Sequence, residues 1–322
     1  MTMPMRRRVM AAKIETTIGT AETLAGTDAA FNIYNPKIES TTEFVQRQGS
    51  GGFGYLASVP GGYAGVATFR TYLEWDGSDT EPSWAETFFP ACGWVKSSQT
   101  YTPRTESPGS NVKTLTIGTY QYDGSTGTVF KSIRGAMGSF VVTLPTGRAG
   151  YIDWTFIGPW VNDPTNETML TPTYPNVKPL RFARGLAKWN NVNLCVESAT
   201  INSGNTLALR ECPTTEAGFI SAYIGDRRPT VTLNPEASTI SAQNRYASLI
   251  AMDEYALELD VGGPTGTSSN AVLSFDAPKA QLISIQEGDR NGMVVDNLEF
   301  QLNRNGSTQD QELSIIFTAL VN

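Results

Sequence analysis

The sequence contains no histidine in 322 residues. Histidine is the usual general acid and base near neutral pH and the commonest protein metal ligand. Its absence excludes Ser-His-Asp and Cys-His triads, histidine metal sites and histidine pH switches. Any catalysis would depend on carboxylate, lysine, tyrosine or Ser-Lys chemistry.

Cysteine is scarce as well, with only Cys92, Cys195 and Cys212. Three cysteines cannot all pair within one chain, and their spacing matches no zinc or redox motif. We expect free, buried thiols in a protein made in a reducing cytoplasm. The sequence also lacks a run of about 18 apolar residues, so it indicates no membrane anchor.

Charged residues make up only 17% of the chain, and their balance is acidic, with a net charge of −7. Nucleic-acid binding depends on lysine and arginine that displace counterions from the phosphates. An acidic surface therefore argues against a protein that binds DNA tightly. It is compatible with a protein that lets DNA pass.

The residues that are plentiful, among them glycine, threonine, serine, valine and the aromatics, are typical of strands separated by turns. We predict a mainly β protein. Ser83 and Glu86, placed after Pro82, predict a capping box that opens a short helix. The composition along the chain suggests an N-terminal arm at 1–30, a first β-domain at 31–160, a proline-rich connector at 161–185 and a second β-domain at 186–322.

A glycine-rich stretch from Gly49 to Gly62 is predicted to form a long loop. The loop carries large apolar residues that would promote aggregation on an isolated monomer. One interpretation is that they dock on another copy of the chain, and the other is that the loop folds on its own domain. The candidate docking residues are Phe53, Tyr55, Leu56, Val59 and Tyr63.

Two parts of the sequence resemble one another. The strand Tyr151–Ile157 aligns with Met293–Leu302 so that Asp296 lies 143 residues after Asp153, and the strand before each aligns at the same offset. Further similarities link the segments at Ile38 and Val196. A duplicated unit would let each half take an equivalent place in a symmetric ring.

The stretches "SIRGAMGSFVV", "YIDWTFIG" and "VESATINSGNTLALRECPTTEAGFISAYIGDRRPTVTLNPEA" resemble the tail tube proteins of long-tailed bacteriophages. The resemblance implies two packed antiparallel sheets with a flanking helix in each half. It also implies rings that stack into a tube in the virion tail, made in the host bacterial cytoplasm, through which DNA passes without specific binding. Implied partners are other copies of the chain, a tape-measure protein, a tail terminator and a distal tail protein, with no cofactor.

Two tube-like halves favour rings of three chains with pseudo-sixfold symmetry. A ring of six chains, with one half of each outside the tube, is the alternative. Another tail component, such as a distal tail or terminator protein, is a second alternative function.

A carbohydrate-binding or glycoside hydrolase module is the alternative from another class. It would use paired carboxylates and tryptophans that stack on sugars. We regard alternating acids on a strand and tryptophans in a β-core as the commoner explanation, and we expect no enzymatic activity. The residues concerned are Asp253, Glu254, Glu258, Asp260, Trp154, Trp160 and Trp189.

Overall fold

The computed structural model describes residues 7–78, 80–124, 128–160, 164–262, 272–307 and 309–319. The protein is mainly β, as the composition predicts. It has two α-helices in this part of the chain, α1 (Ser83–Ala91) and α2 (Arg245–Ala251), and a short 3-10 helix at Gly26–Ala29. The strands are β1 (Arg8–Ile14), β2 (Tyr34–Gln48), β3 (Tyr55–Tyr72), β4 (Trp94–Ser97), β5 (Thr100–Pro103), β6 (Leu115–Tyr122), β7 (Thr128–Pro145), β8 (Tyr151–Pro159), β9 (Leu186–Trp189), β10 (Val192–Asn193), β11 (Val196–Asn202), β12 (Asn205–Glu211), β13 (Phe219–Arg227), β14 (Thr230–Pro235), β15 (Glu254–Val261), β16 (Val272–Arg290), β17 (Met293–Leu302) and β18 (Ser314–Thr318).

Eight strands form one continuous antiparallel sheet in the order β16-β17-β14-β11-β7-β8-β3-β2. We call it the wall sheet. In β8 and β17 the residues alternate between buried and more exposed positions. Such alternation is expected of an antiparallel sheet with one face on a core and the other face toward solvent.

The wall sheet contains the same four-stranded unit twice. The order β16-β17-β14-β11 in the second half of the chain repeats the order β7-β8-β3-β2 in the first half. The register is repeated too, because one row of cross-strand neighbours on the core face has a counterpart in the other half. The first row is Ile38, Ala67, Phe156 and Gly138, and the second is Ile201, Val231, Phe300 and Leu282.

This register corrects the alignment made from sequence. Phe300 corresponds to Phe156, an offset of 144 residues rather than 143. Asp296 is buried on the core side, whereas the Asp153 side chain is about half exposed. A one-residue slip moves every side chain to the other face of a strand, so the shared aspartate was misleading.

A second layer covers the apolar face of the wall sheet in both halves. β7 and β16 are long strands whose first parts leave the wall sheet, β7 to pair with β6 and β16 to pair with β15 and β18. In the first half the aromatic core between the layers joins Phe88 and Phe89 of α1 to Trp154 of β8. The predicted architecture of two packed sheets with a helix is therefore confirmed.

The helix α1 begins where the sequence predicts it, but the predicted capping box does not form. Pro82 is the N-cap residue, and no side chain caps the helix. The Ser83 hydroxyl instead donates to Ala30 O at 3.3 Å, and Glu86 accepts from Lys96 at 3.1 Å. Packing of the aromatic face in the core is sufficient to hold this short helix.

The segment for which the sequence predicts an N-terminal arm, residues 1–30, contains a strand that pairs within its own chain. β1 pairs antiparallel with β6, and its residues Val9 to Ala12 are buried. Alanines and a methionine on one short strand give little periodic signal. Residues 1–6 lie outside the described part of the chain.

Residues 164–185 form no helix or strand and are attached through isolated bridges, including Glu74 to Pro179 and Thr146 to Phe182. They run beside strands of the first half, where Leu180 N donates to Leu73 O at 2.8 Å. Neither helix in the described residues has the length and apolarity to cross a membrane.

Candidate assembly surfaces

The glycine-rich stretch that the sequence predicted as a loop is the end of a long β-hairpin. We call residues 43–60 the hairpin arm. β2 and β3 remain paired from Phe44 opposite Pro60 to Gln48 opposite Tyr55, whereas the pairing of β3 with β8 begins only at Ala64. The arm therefore extends beyond the wall sheet as a two-stranded ribbon.

The predicted docking residues lie along this arm and at its base. Phe53 is in the turn with a relative exposure of 104%, and Tyr55, Leu56 and Val59 are exposed on β3. Tyr63 is half-buried at the base, where its N–H donates to Ala217 O at 3.1 Å. Sequence reasoning missed Phe44 and Val45, which are exposed on the opposite strand of the arm.

The second half of the chain has a counterpart of this arm, the two-stranded ribbon β12–β13 inserted between β11 and β14. This ribbon is folded down on the first half. Leu207, Leu209 and Ile224 pack there with Ala222 against Met137 of β7. The two halves thus carry equivalent ribbons, of which one is covered and the other is exposed.

Both ends of the wall sheet are open edges in the described residues. β2 pairs with β3 on one side only. Residues 282–290 of β16 pair with β17 only, because the pairing with β15 ends at Gln281. Open edges present unpaired N–H and C=O groups and are templates for pairing with another chain.

The face of the wall sheet opposite the core is lined mainly by hydroxyl and amide side chains, and its charges are largely paired. Arg70 makes a bidentate ion pair with Asp153 at 2.7 and 2.9 Å and lies 3.7 Å above the ring centre of Tyr151. Lys37 Nζ lies 2.5 Å from Glu39 Oε1. Neutral members of the face include Thr68, Thr155, Thr143, Thr200, Thr232, Ser284, Asn297 and Gln301.

The acids that suggested a glycosidase make separate local contacts. Asp253 accepts from Tyr255 OH at 3.0 Å, Glu254 accepts from Asn303 at 2.7 Å, and Glu258 accepts from Lys188 at 3.3 Å. Asp260 is buried beside Asp276. Burial, together with the charges of Asp260 and Glu258, raises the pKa of Asp276 to about 6.

The tryptophans considered as sugar platforms are core residues. Trp154 and Trp189 are almost completely buried, and Trp160 is 8% exposed. The Trp154 indole N–H donates to Thr71 Oγ1 at 2.8 Å. A buried ring cannot stack on a sugar, so these residues give no support to a carbohydrate site.

The three cysteines are free thiols, as the sequence predicts, but only Cys92 is buried, whereas Cys195 is exposed and Cys212 is partly exposed. Complete burial raises the pKa of Cys92, whereas hydrogen bonds with Thr214 lower the pKa of Cys212. In the part of the chain that the structure describes, no three Cys, Asp or Glu residues are grouped to hold a metal ion.

The family model described as "Phage tail tube protein" matches residues 5–302. The match covers nearly the whole chain and includes every strand of the wall sheet. The comparison with curated proteins finds no match.

Proposed function

Because this chain belongs to the phage tail tube protein family, we propose that its copies close into rings and that the rings stack into the tube that conducts DNA. Family membership gives the chain a structural role in the virion tail. Ring closure, stacking and DNA passage are the parts that we add.

The repeated four-stranded unit is the observation that carries the proposal. β11 of the second unit pairs with β7 of the first, so the units follow one another head to tail in one sheet. A head-to-tail arrangement of equivalent units forms a ring when the rotation between them closes. Three chains then supply six units, which favours a trimeric ring with pseudo-sixfold symmetry over a ring of six chains.

The polar face of the wall sheet is suited to line the channel. Most of its charges are neutralised in pairs such as Arg70–Asp153, and the rest of the face is mainly hydroxyl and amide groups. DNA would find few free cations there to replace its counterions. We therefore propose that DNA slides along this face without specific binding.

The hairpin arm is the element that we assign to stacking. Its turn carries the fully exposed Phe53, and Tyr55 and Leu56 follow at the start of β3. Apolar side chains at the end of a projecting ribbon are costly in water and gain by burial against another ring. The tape-measure protein would occupy the channel during assembly, and terminator and distal tail proteins would bind the two ends of the tube.

We expect no enzymatic activity from this protein. The acids weighed for glycoside hydrolysis are each engaged by separate neighbours, as Glu254 is by Asn303 and Glu258 by Lys188. Single substitutions of Asp253, Glu254 or Glu258 should leave assembly intact and remove no hydrolysis. Turnover of a polysaccharide that vanishes with one of these variants would contradict the structural role.

Negative-stain electron microscopy of the purified protein tests the proposal. We expect stacked rings or tubes, with end-on averages that show threefold symmetry and a central channel. Native mass spectrometry of single rings should give three chains. Monomers at high concentration would overturn the proposal, and single rings that never stack would favour a terminator or distal tail role.

A further inference from the structure

The junction between the two units inside one chain consists of an edge pairing. At this junction β11 pairs antiparallel with β7, with Ile201 opposite Val142 and Asn202 opposite Val141. The next residue continues along the same edge, since Ser203 N donates to Phe140 O at 3.0 Å.

A second contact completes the junction at the end of helix α1. The side chain of Asn205, at the start of the ribbon β12–β13, donates to Cys92 O at 2.9 Å and to Gly138 O at 2.8 Å. Cys92 is the C-cap residue of α1 and is fully buried.

The equivalent parts at the two ends of the wall sheet are uncovered. β2 corresponds to β11, and residues 282–290 of β16 correspond to the part of β7 that β11 covers. Met252, the C-cap residue of α2, is 57% exposed, and Ile250 beside it is 82% exposed. The strand edge and the helix end that the internal junction covers in the first half are thus open in the second half.

We propose that the edge of β2 in one chain pairs with residues 282–290 of β16 in the next copy, in the register of the internal junction. This inference rests on the proposed ring and specifies its contact, which we call the seam. The same geometry lays the base of the hairpin arm over Ile250 and Met252 of the neighbour. Phe53 at the far end of the arm remains available for stacking.

The register follows from the cross-strand pairs. Glu39 corresponds to Asn202. Their cross-strand partners are Val66 and Thr230, and each of these directly precedes one of the equivalent residues Ala67 and Val231. Gln286 corresponds to Val141 through its pairing with Asn297, the counterpart of Asp153. Since Asn202 lies opposite Val141, the seam places Glu39 opposite Gln286 and Ile38 opposite Glu287.

A disulfide between neighbouring chains tests this register. Ser203 donates its backbone N–H to Phe140 O, so these two opposite residues form a hydrogen-bonded pair. The adjacent pair in the ladder, Asn202 and Val141, is therefore a non-hydrogen-bonded pair, whose Cβ atoms are close together. The test variant is Glu39→Cys with Gln286→Cys, in a background where Cys195 and Cys212 are replaced by serine. Within one chain these edges are seven strand spacings apart, on the order of 30 Å, so only a contact between chains can form the bond.

On mild oxidation we expect a ladder of cross-linked species on a non-reducing gel that ends at three chains. The positive control is Val141→Cys with Asn202→Cys, which should close a disulfide within one chain. The register control is Glu39→Cys with Glu287→Cys, whose side chains lie on opposite faces of the sheet and should cross-link far less.

The outcomes separate the seam from the proposed function. Rings or tubes in micrographs, together with a Glu39/Gln286 variant that stays monomeric on oxidation while the Val141/Asn202 control closes, would overturn the seam alone. Equal cross-linking in the register control would also overturn it. A folded protein without rings or tubes would overturn the proposed function and the seam with it.

A proline variant gives a second test that needs no cysteine. Ser40 corresponds to Ser203, so its N–H points out of the open edge of β2 toward the neighbour. Ser40→Pro should keep the melting temperature of the monomer and abolish rings, since proline removes only that donor. Ser40→Ala should assemble as the wild type does, and normal rings from Ser40→Pro would contradict the seam.

Discussion

At the scale of residues, the protein buries charge where backbone and hydroxyl donors surround it. Glu15 is buried and accepts hydrogen bonds from Gly19 N, Gly135 N, Thr114 Oγ1 and Thr116 Oγ1, at 2.6 to 2.9 Å. These bonds tie the segment after β1 to β6 and β7. A carboxylate with four donors is stable without a cation beside it.

Glu15→Ala should lower the free energy of unfolding by about 3 kcal/mol, because four donors, three of them buried, would lose their acceptor. The comparison is Glu22→Ala, which removes a more exposed carboxylate and should cost much less. Urea unfolding of the monomeric protein measures both. Equal small losses would show that the bonds to Glu15 contribute little.

Asp276 should make the monomer less stable as the pH rises. Its pKa in the folded protein is about 6, whereas an unfolded aspartate titrates near about 4. Between these values the unfolded chain has lost the proton that the folded chain keeps, so stability falls across this window and is level above it. The expected loss is about 2 kcal/mol.

Asp276→Asn should remove this slope and stabilise the monomer near pH 7. It also removes the like charge opposite Glu258 on the neighbouring strand. Urea unfolding at pH 4 and pH 7 provides the check, with the exposed Glu287→Gln as the matched control. An unchanged slope in Asp276→Asn would assign the pH dependence to other groups.

At the scale of elements, the hairpin arm is held by its own ladder of backbone hydrogen bonds and little else. Its exposed residues Phe44, Val45 and Tyr55 contribute nothing to the core of the subunit. An isolated two-stranded ribbon is marginal in water, so we expect the arm to gain most of its order from a partner.

Replacing Phe53 and Tyr55 together with serine should leave the subunit folded but unable to stack. Both side chains are exposed in the monomer, so its melting temperature should be unchanged. The control is Tyr174→Ser, which removes an exposed aromatic elsewhere. Long tubes from the double variant would contradict the role of the arm, and single rings without tubes would support it.

Some elements were predictable from sequence and others were not, for physical reasons. Strands with regular alternation, such as β8, were found because one face is apolar. The sequence predicts a loop for the glycine-rich part of the hairpin arm, because the arm is exposed on both faces and shows no period and because glycines indicate irregular backbone. The repeat was recognised one residue out of register, since Asp153 and Asp296 look alike but lie on opposite faces.

At the scale of the whole molecule, the two halves are joined by hydrogen-bonded strands in both layers. β11 pairs with β7 in the wall sheet, and β18 pairs with β5 in the second layer. The connector adds contacts along the first half but is not the main link. We therefore expect the halves to unfold together.

A protease site inserted between Thr173 and Tyr174 tests this cooperativity. The cleaved chain should elute as one species and unfold in a single transition, because the strand pairings hold the halves after the connector is cut. A matched insertion without the cleavage sequence controls for the insertion itself. Two separate transitions would show two independent domains.

The covalent link between the units also bears on how a ring nucleates. If three chains build six equivalent junctions, three of those junctions form during folding of single chains, at the effective concentration of a tethered partner. Three chains then meet in only two encounters before the last junction closes the ring, so the concentration of rings varies with about the third power of subunit concentration instead of the sixth. Rings could thus start from a dilute pool early in infection, and each unit is free to diverge in sequence because its position in the ring is fixed by the chain.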